Sequence, residues 1–144
     1  MKPDDLDPAH FSRLHGARRK RLAQAMQEGV AVLPTAPERI RNRDTHYPYR
    51  YDSHFYYLTG FAEPEAVLVL IAGAQPKSLL FCREKNTERE TWDGFRFGPK
   101  GAQERFGFDE AYPIGELDAR LAGLLGDQPA LYFPVGADAI WDAR

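Results

Sequence analysis

The sequence contains almost no cysteine and no long hydrophobic run. Cys82 is the only cysteine among 144 residues, which excludes an intramolecular disulfide and the zinc frameworks that need several cysteines. A reducing, cytoplasmic location is therefore expected. The longest strongly apolar run, residues 66–73, is far too short to cross a bilayer, and the acidic N-terminus carries no apolar signal segment. The sequence thus predicts neither export nor membrane insertion.

An excess of charge of one sign is also absent. The chain has 19 lysines and arginines against 21 aspartates and glutamates, a net charge of -2, so no broad field attracts nucleic acid or anionic lipid. The basic run RRKR at residues 18–21 spreads around most of a helical circumference, which is more typical of a solvated helix face than of a phosphate-binding patch. Residues 1–144 suit a single domain with one core.

Residues 12–28 predict the first helix. This stretch lacks proline, Ser12 suits the N-cap and Gly29 suits the stop. We expect one apolar face to point toward the core. Its residues are Phe11, Leu14, Leu22 and Met26.

Short apolar segments predict the first strands. Residues 30–34 suit a strand closed by proline, and residues 66–73 and 78–83 predict a buried hairpin at the centre of a sheet. Between them, residues 35–65 are rich in proline and predict a long irregular connection with one helical turn near residues 54–60. Connections of this length in a folded domain usually carry function.

The second half alternates between charged and apolar stretches. Residues 84–100 are charged, aromatic and punctuated by glycine, which predicts an exposed loop, and residues 101–107 suit a short helix. A weak strand is expected at residues 110–114, an amphipathic helix at 115–126 and a further buried strand at 130–135. The last residues look like the start of another helix, so we expect the front part of a longer protein. The whole pattern predicts an α/β fold with a layered sheet.

Common catalytic patterns are missing from this sequence. His46 and His54 are interrupted by Pro48 and cannot share a helix face, so a metal site is not expected there. Cys82 lies in an apolar strand, where its thiol should be protonated and inert. The sequence has no G-x-S-x-G elbow, and the glycines at residues 98–102 lack the ending of a phosphate-binding loop.

Aromatic residues in the two polar connections leave two interpretations open. Trp92, Phe95 and Phe97 can fold back as a small cluster, or they can project into a partner, where tryptophan often dominates the binding energy. Asp44 lies between an arginine and a threonine, a setting typical of a local ion pair or an Asx turn. Composition alone does not decide between these roles.

Four ordered segments carry a resemblance to a known family. The sequence has YPYR at residues 47–50, S-x-F-Y-Y-L-T-G-F at 53–61, EPEAVLVL at 63–70 and W-x-G-x-R-x-G at 92–98. Together they resemble the N-terminal domain of aminopeptidase P, the Xaa-Pro aminopeptidase of the creatinase and prolidase superfamily. The resemblance spans essentially the whole chain and implies a mixed β-sheet flanked by helices, with a ribonuclease H-like layout.

The resemblance also implies an activity located outside this chain. Relatives are metallohydrolases that remove N-terminal residues preceding proline, with two divalent metal ions, usually manganese, in a C-terminal pita-bread domain. That catalytic domain is expected to be absent here and to be a partner of residues 1–144. No catalytic residue and no metal ligand is therefore expected in this chain, and the 144 residues alone are expected to be inactive.

For the N-terminal domain itself, the resemblance implies assembly and control of access. Such domains drive formation of dimers or tetramers, and a loop tryptophan, here Trp92, reaches the active site of a neighbouring subunit. Asp44 matches an acidic position that faces the substrate entrance, so both residues are expected to contact Xaa-Pro peptides. The alternatives are the corresponding domain of a prolidase- or creatinase-like enzyme, a binding module descended from one, or a nucleic-acid-binding module that uses residues 18–21 and 41–57.

Overall fold

Five helices and five strands make up the part of the chain that the structure, a computed structural model, describes: residues 8–36 and 52–133. The helices are α1 (Pro8–Met26), α2 (Ser53–Thr59), α3 (Thr87–Asp93), α4 (Gly98–Phe106) and α5 (Leu117–Leu125). The strands are β1 (Val30–Pro34), β2 (Val67–Ile71), β3 (Lys77–Cys82), β4 (Glu110–Pro113) and β5 (Leu131–Tyr132). A 3-10 turn, Ile114–Glu116, leads from β4 into α5.

The strands form one mixed sheet in the order β4-β3-β2-β1-β5. Neighbours among β1, β2 and β3 are antiparallel, whereas β4 pairs with β3 and β5 pairs with β1 in parallel. In the middle of the sheet, Val69 of β2 pairs with Val32 on one side and with Leu79 on the other. The predicted α/β fold, a mixed sheet flanked by helices, is confirmed, and so is the central β2–β3 hairpin.

Helices cover both faces of this sheet. Side chains alternate along β2, so that Leu68 points to one face and Val69 to the other, and both are fully buried. Leu68 lies in a cluster with Phe61 and Phe106, under α1, α2 and α4. Val69 lies in a second cluster with Leu117 of α5. The strand predicted to be buried on both faces is thus confirmed.

The first helix differs from its predicted limits. It begins at Pro8 rather than near Ser12, because proline fits the first turn, where its missing N–H is not needed. Leu14 is 38% exposed, so the predicted apolar face is wrong at that position. Gly29 has a φ of 97°, and a Cβ there would lie 2.7 Å from the Ala130 carbonyl oxygen. This glycine therefore permits the close approach of β1 and the residues before β5.

The last described strand is not a buried one. Leu131 and Tyr132 are 57% and 43% exposed, and among the described residues β5 pairs only with β1. Because β5 is the outermost strand of the described sheet, its apolar side chains remain accessible to solvent. The prediction of a buried strand at residues 130–135 is therefore wrong for residues 131 and 132, and residues 134 and 135 lie outside the described part of the chain.

The helical turn predicted near residues 54–60 is confirmed as α2. An oxygen of Asp52 accepts a hydrogen bond from the Phe55 N–H at 2.8 Å and so caps its N-terminus. Thr59 Oγ1 donates to the Phe55 carbonyl at 2.8 Å and accepts from the Phe61 N–H at 3.0 Å. Gly60 ends the helix with a φ of 71°, in the left-handed region that favours glycine. The segment S-x-F-Y-Y-L-T-G-F is thus a capped helix.

One arginine of the basic run is buried. Arg19 is 3% exposed, and its guanidinium donates to the Leu58 carbonyl at 3.0 Å and to the Phe106 carbonyl at 3.2 Å. It also lies 4.4 Å from the centre of the Phe108 ring. Burial lowers the pKa of Arg19 to about 10, which leaves the side chain charged at neutral pH. The predicted solvated face is therefore wrong at Arg19, because the C-terminal ends of α2 and α4 both meet this side chain.

Candidate functional site

The two most exposed aromatic residues of the described part lie in the segment between β3 and α4, residues 84–98, which we call the Trp92 segment. Trp92 is 88% exposed and Phe95 is 64% exposed. Trp92 belongs to α3, so the exposed loop predicted for residues 84–100 is wrong where α3 and the start of α4 replace it. The Asn86 side chain accepts from the Arg89 N–H at 3.1 Å and caps α3. A helix presents this tryptophan.

Lys85 and Glu90 close the Trp92 segment on itself. Lys85 Nζ donates to Glu90 Oε1 and to the Arg96 carbonyl, each at 2.7 Å, and Glu90 Oε1 also accepts from the Arg96 N–H at 2.7 Å. The hydrogen bond from Lys85, followed by that from the Arg96 N–H, lowers the pKa of Glu90. The Lys85 ammonium lies 4.1 Å from the centre of the Phe95 ring. The two ends of the segment are thereby joined.

Glu63 attaches the same segment to the body of the molecule. Its Oε1 accepts from Arg83 Nη2 at 3.1 Å, and its Oε2 accepts from the Phe97 N–H at 2.9 Å. The Glu63 and Arg83 side chains are only 12% and 11% exposed, so this ion pair is shielded from water. Hydrogen bonds between charged and shielded partners are stronger than neutral ones. Oε2 therefore holds the segment through Phe97, while the ion pair with Arg83 fixes the Glu63 side chain.

Two glycines of the W-x-G-x-R-x-G pattern are explained by backbone geometry. Gly94 follows α3 with a φ of 90°, and Gly98 begins α4 with a φ of 71°, both in the region that other residues rarely adopt. A Cβ on Gly98 would also lie 2.8 Å from Lys85 Cβ. Gly94 thus allows the chain to turn after α3, and Gly98 allows the start of α4 to lie close to Lys85.

The sequence left open whether the three aromatic residues of the segment fold back as a cluster or project toward a partner, and the structure shows both arrangements. Phe97 packs against core rings, with its centre 5.1 Å from that of Phe106 and 6.1 Å from that of Phe61. Phe95 contacts Phe97 at 4.9 Å but remains mostly exposed, and Trp92 extends away from the core. Phe97 therefore anchors the segment, while Trp92 is available to another molecule.

The structure places the other candidate residues as follows. Asp44, His46 and Pro48 lie outside the described residues. His54 is exposed on α2. Cys82 is fully buried, and burial raises the pKa of its thiol to about 12, which confirms the predicted buried and protonated cysteine.

The site residues that the sequence did not predict are Glu63, Lys85 and Glu90. Each is a charged residue in a polar stretch, where ordinary composition predicts a solvated side chain. The nearest sequence signal is the pair of family segments EPEAVLVL, which begins with Glu63, and W-x-G-x-R-x-G, which contains the two glycines. Neither segment reveals that the first contacts the second. The contact joins residues 63 and 97, which are far apart in the chain.

The chain is similar to known proteins in sequence and in fold. A family model described as "Aminopeptidase P, N-terminal domain" matches residues 15–132 of the chain. The chain belongs to this family. Its Xaa-Pro aminopeptidase relative from Escherichia coli (strain K12) is 42% identical over 128 residues, which cover 87% of this chain and 29% of that relative. The Xaa-Pro aminopeptidase of Haemophilus influenzae is 41% identical over 117 residues, covering 80% of this chain and 27% of that relative.

Solved structures of the family agree with the fold. The Zn-substituted Escherichia coli aminopeptidase P in complex with product matches at a TM-score of 0.88 and 39% sequence identity, covering 92% of this chain and 31% of that one. The Escherichia coli enzyme with the inhibitor Pro-Leu matches at a TM-score of 0.87, with the same identity and coverage. This chain therefore spans roughly three tenths of the length of the aminopeptidase P chains that it matches.

Two absences hold for the described residues. None of the helices in residues 8–36 and 52–133 is long and apolar enough to cross a membrane. Over the same two ranges, no three residues among the histidines, cysteines, aspartates and glutamates are grouped so that they could hold a metal ion.

Proposed function

We propose that this chain is the non-catalytic N-terminal domain of a metal-dependent Xaa-Pro aminopeptidase that removes N-terminal residues preceding proline. Membership of the aminopeptidase P N-terminal domain family over residues 15–132 supports the proposal. So does the coverage, because the chain spans only 29% of its Escherichia coli relative. The remainder of the parent protein would supply the catalytic domain as this domain's partner.

The metal ions belong to that remainder. A dinuclear metal site needs several carboxylate and histidine ligands in one place, and the described residues do not bring three such side chains together. The residues described here do not fit the metal pair, so no step of the hydrolysis is assigned to them. One relative is described as Zn-substituted, and manganese is our proposal for the parent enzyme.

The observation that carries the proposal is the exposed Trp92 on a fixed helix. Trp92 is 88% exposed and presents a flat apolar surface, and the contacts of Lys85, Glu90 and Glu63 restrain the backbone from which it projects, which lowers the entropy lost on binding. A peptide with proline in second position is rigid and kinked, and an aromatic plane beside it excludes water. Trp92 would thus form one wall of the substrate entrance, together with Asp44.

Assembly into a dimer or tetramer would bring Trp92 to a neighbouring active site. Exposed tryptophan is common at the centre of protein interfaces, which supports this arrangement. A narrow entrance shared between subunits would admit short peptides with free N-termini. The parent enzyme would act in the cytoplasm, which the single buried Cys82 supports.

Replacement of Trp92 in the full-length enzyme tests this role. We expect Trp92→Ala to lower kcat/KM for an Xaa-Pro peptide by roughly tenfold or more, which is the usual scale for loss of a central aromatic contact. Trp92→Phe keeps a ring and should retain most of the activity. Leu14→Ala changes another exposed apolar residue, far along the chain on α1, and should change nothing.

The measurements are steady-state rates for all three variants, with the metal content determined for each. Metal content should equal that of the wild type, because Trp92 acts on the substrate and not on the ions. An unchanged kcat/KM in Trp92→Ala would remove this residue from the substrate entrance.

A further inference from the structure

Glu63 joins three parts of the molecule that are distant in sequence. It lies between α2 and β2, it pairs with Arg83 at the end of β3, and it accepts a hydrogen bond from Phe97 at the start of α4. Its side chain is 12% exposed, so it is not placed to contact a peptide in solvent. Glu63 can therefore influence the Trp92 segment only through the residues that it holds.

The two carboxylate oxygens have separate partners. Oε1 lies 3.1 Å from Arg83 Nη2 and Oε2 lies 2.9 Å from the Phe97 backbone nitrogen. The Arg83 Nε atom is buried and has no hydrogen-bond partner among the described residues, whereas Arg83 Nη2 is bound by Glu63. The arginine in turn orients the carboxylate toward Phe97.

Phe97 connects Glu63 to the backbone of the segment that carries Trp92. Its ring is seated against Phe61 and Phe106, and its N–H is fixed by Glu63, so both the side chain and the backbone of one residue are held. Its neighbour Arg96 is bound through the backbone to Lys85 and Glu90. These bonds leave α3 attached at both ends, with Trp92 in its last turn.

We propose that Glu63 is a positioning residue for Trp92. By holding the Phe97 N–H, it fixes the backbone position from which the Trp92 ring projects, and it does so without contact with the substrate. This inference rests on the proposed role of Trp92 at the substrate entrance. The role of Trp92 would then depend on the carboxylate of Glu63, which lies 29 positions before it in the chain.

The test is a double-mutant cycle in the full-length enzyme. Glu63→Asp keeps a negative charge beside Arg83, but its side chain is one methylene too short to reach the Phe97 N–H as well. We expect Glu63→Asp to lower kcat/KM roughly tenfold when Trp92 is present, since a displacement of about 1 Å at a positioned group has effects of this order or larger. In the Trp92→Ala background, the same change should lower kcat/KM less than twofold.

The cycle separates this inference from a general loss of stability. An equal loss of kcat/KM in both backgrounds, or no loss in either, would contradict the positioning role. Glu65→Gln is the matched control, because Glu65 is an exposed glutamate two positions away and should leave kcat/KM unchanged. If Trp92→Ala alone has no effect, the proposed role of Trp92 at the substrate entrance fails instead, and the two failures are thereby distinguished.

A spectroscopic measurement tests the positioning directly. The fluorescence of Trp92 is taken as the difference between each full-length protein and its Trp92→Phe counterpart. We expect Glu63→Asp to lower the anisotropy of this signal, because α3 moves more freely when Phe97 is released. The double variant Glu63→Met with Arg83→Met is used should Glu63→Asp not fold, with the same expectation, because it removes the acceptor of the Phe97 N–H without leaving Arg83 unpaired. An unchanged anisotropy in a folded variant would overturn the inference.

Discussion

His15 shows how a single buried residue links the fold to pH. It is 3% exposed on α1, and its Nδ1 lies 2.9 Å from the Tyr57 carbonyl oxygen. A carbonyl only accepts, so Nδ1 carries the proton of the neutral ring. Burial lowers the pKa of His15, and the nearby Arg18 and Arg19 lower it further, while the hydrogen bond to Tyr57 acts in the opposite direction. The folded state thus favours the neutral imidazole.

This shift predicts a loss of stability in mild acid. The unfolded chain, with an ordinary histidine pKa near 6.5, binds a proton more readily than the folded chain. The free energy of unfolding should therefore fall as the pH drops from about 6.5 toward the lowered pKa, and rise again as the pH returns to neutral. His15→Asn keeps a donor for the Tyr57 carbonyl but does not titrate, so its stability should depend less on pH over this range.

Urea unfolding of the 144-residue chain and of His15→Asn, at several pH values between 5 and 8, checks this expectation. The comparison uses the slope of stability against pH, so a constant offset caused by the substitution does not matter. Identical slopes for the two proteins would show that His15 does not contribute to the acid sensitivity.

Residue identity alone could not separate the members of the RRKR run. Arg18, Arg19 and Arg21 have the same side chain, yet Arg19 is buried while Arg21 is exposed. The difference arises because the ends of α2 and α4 converge on one side of α1, and that convergence is set by tertiary packing. The same limit explains why Glu63 and Glu90 were not predicted as parts of the candidate site.

At the scale of elements, Arg19 connects α1 to the C-terminal ends of α2 and α4. The last carbonyls of a helix have no partner within it, and Arg19 serves Leu58 near the end of α2 together with Phe106 and Gly107 at the end of α4. A positive charge at these positions is also favoured by the helix dipoles. One side chain therefore meets the hydrogen-bonding needs of two elements.

Loss of this connection should be strongly destabilising. We expect Arg19→Met, which keeps much of the apolar stem, to lower the free energy of unfolding by about 2–4 kcal/mol, because buried carbonyls lose charged hydrogen-bond partners. Arg21→Met, an exposed position on the same helix, should change it by less than about 0.5 kcal/mol. Urea unfolding at neutral pH measures both, and equal effects of the two substitutions would contradict the role of Arg19.

The elements that were predicted correctly share a strong local signal. β1, β2 and β3 are short apolar runs bounded by proline and glycine, and α2 has a cap and a glycine stop. α3 was missed because only Asn86 and Gly94 mark it, in a charged stretch without an apolar face. β5 was predicted as buried because apolar composition does not reveal that a strand lies outermost in the described sheet.

At the scale of the whole molecule, the structure shows how Trp92 is supported from the body of the domain. The contacts of Glu63, Lys85 and Glu90 describe how the Trp92 segment is held. Trp92 itself could be selected from the sequence because its pattern resembles the family, whereas its supporting carboxylates required the fold. The roles of Trp92 and Asp44 at the substrate entrance stay predictions, and Asp44 lies outside the described residues.

If the rest of the parent protein holds the catalytic domain, the 144 residues should not catalyse hydrolysis alone. Metal-dependent attack on a peptide bond requires ions that polarise the carbonyl and activate water, and each ion needs several protein ligands. The described residues bring no three such side chains together. We therefore expect the chain, supplied with manganese, to release no proline-preceding residue from an Xaa-Pro peptide, whereas the full-length enzyme does so under the same conditions.

The comparison is informative only if the isolated chain is folded, which circular dichroism and a cooperative urea transition would establish. Calorimetric titration with manganese adds a second readout and should detect no tight binding to the folded chain. Turnover that increases in proportion to the concentration of the chain, and that survives repeated purification, would contradict the assignment of catalysis to the rest of the enzyme. In that case a reactive metal site would have to include residues outside 8–36 and 52–133, with Asp44 and His46 the first to replace.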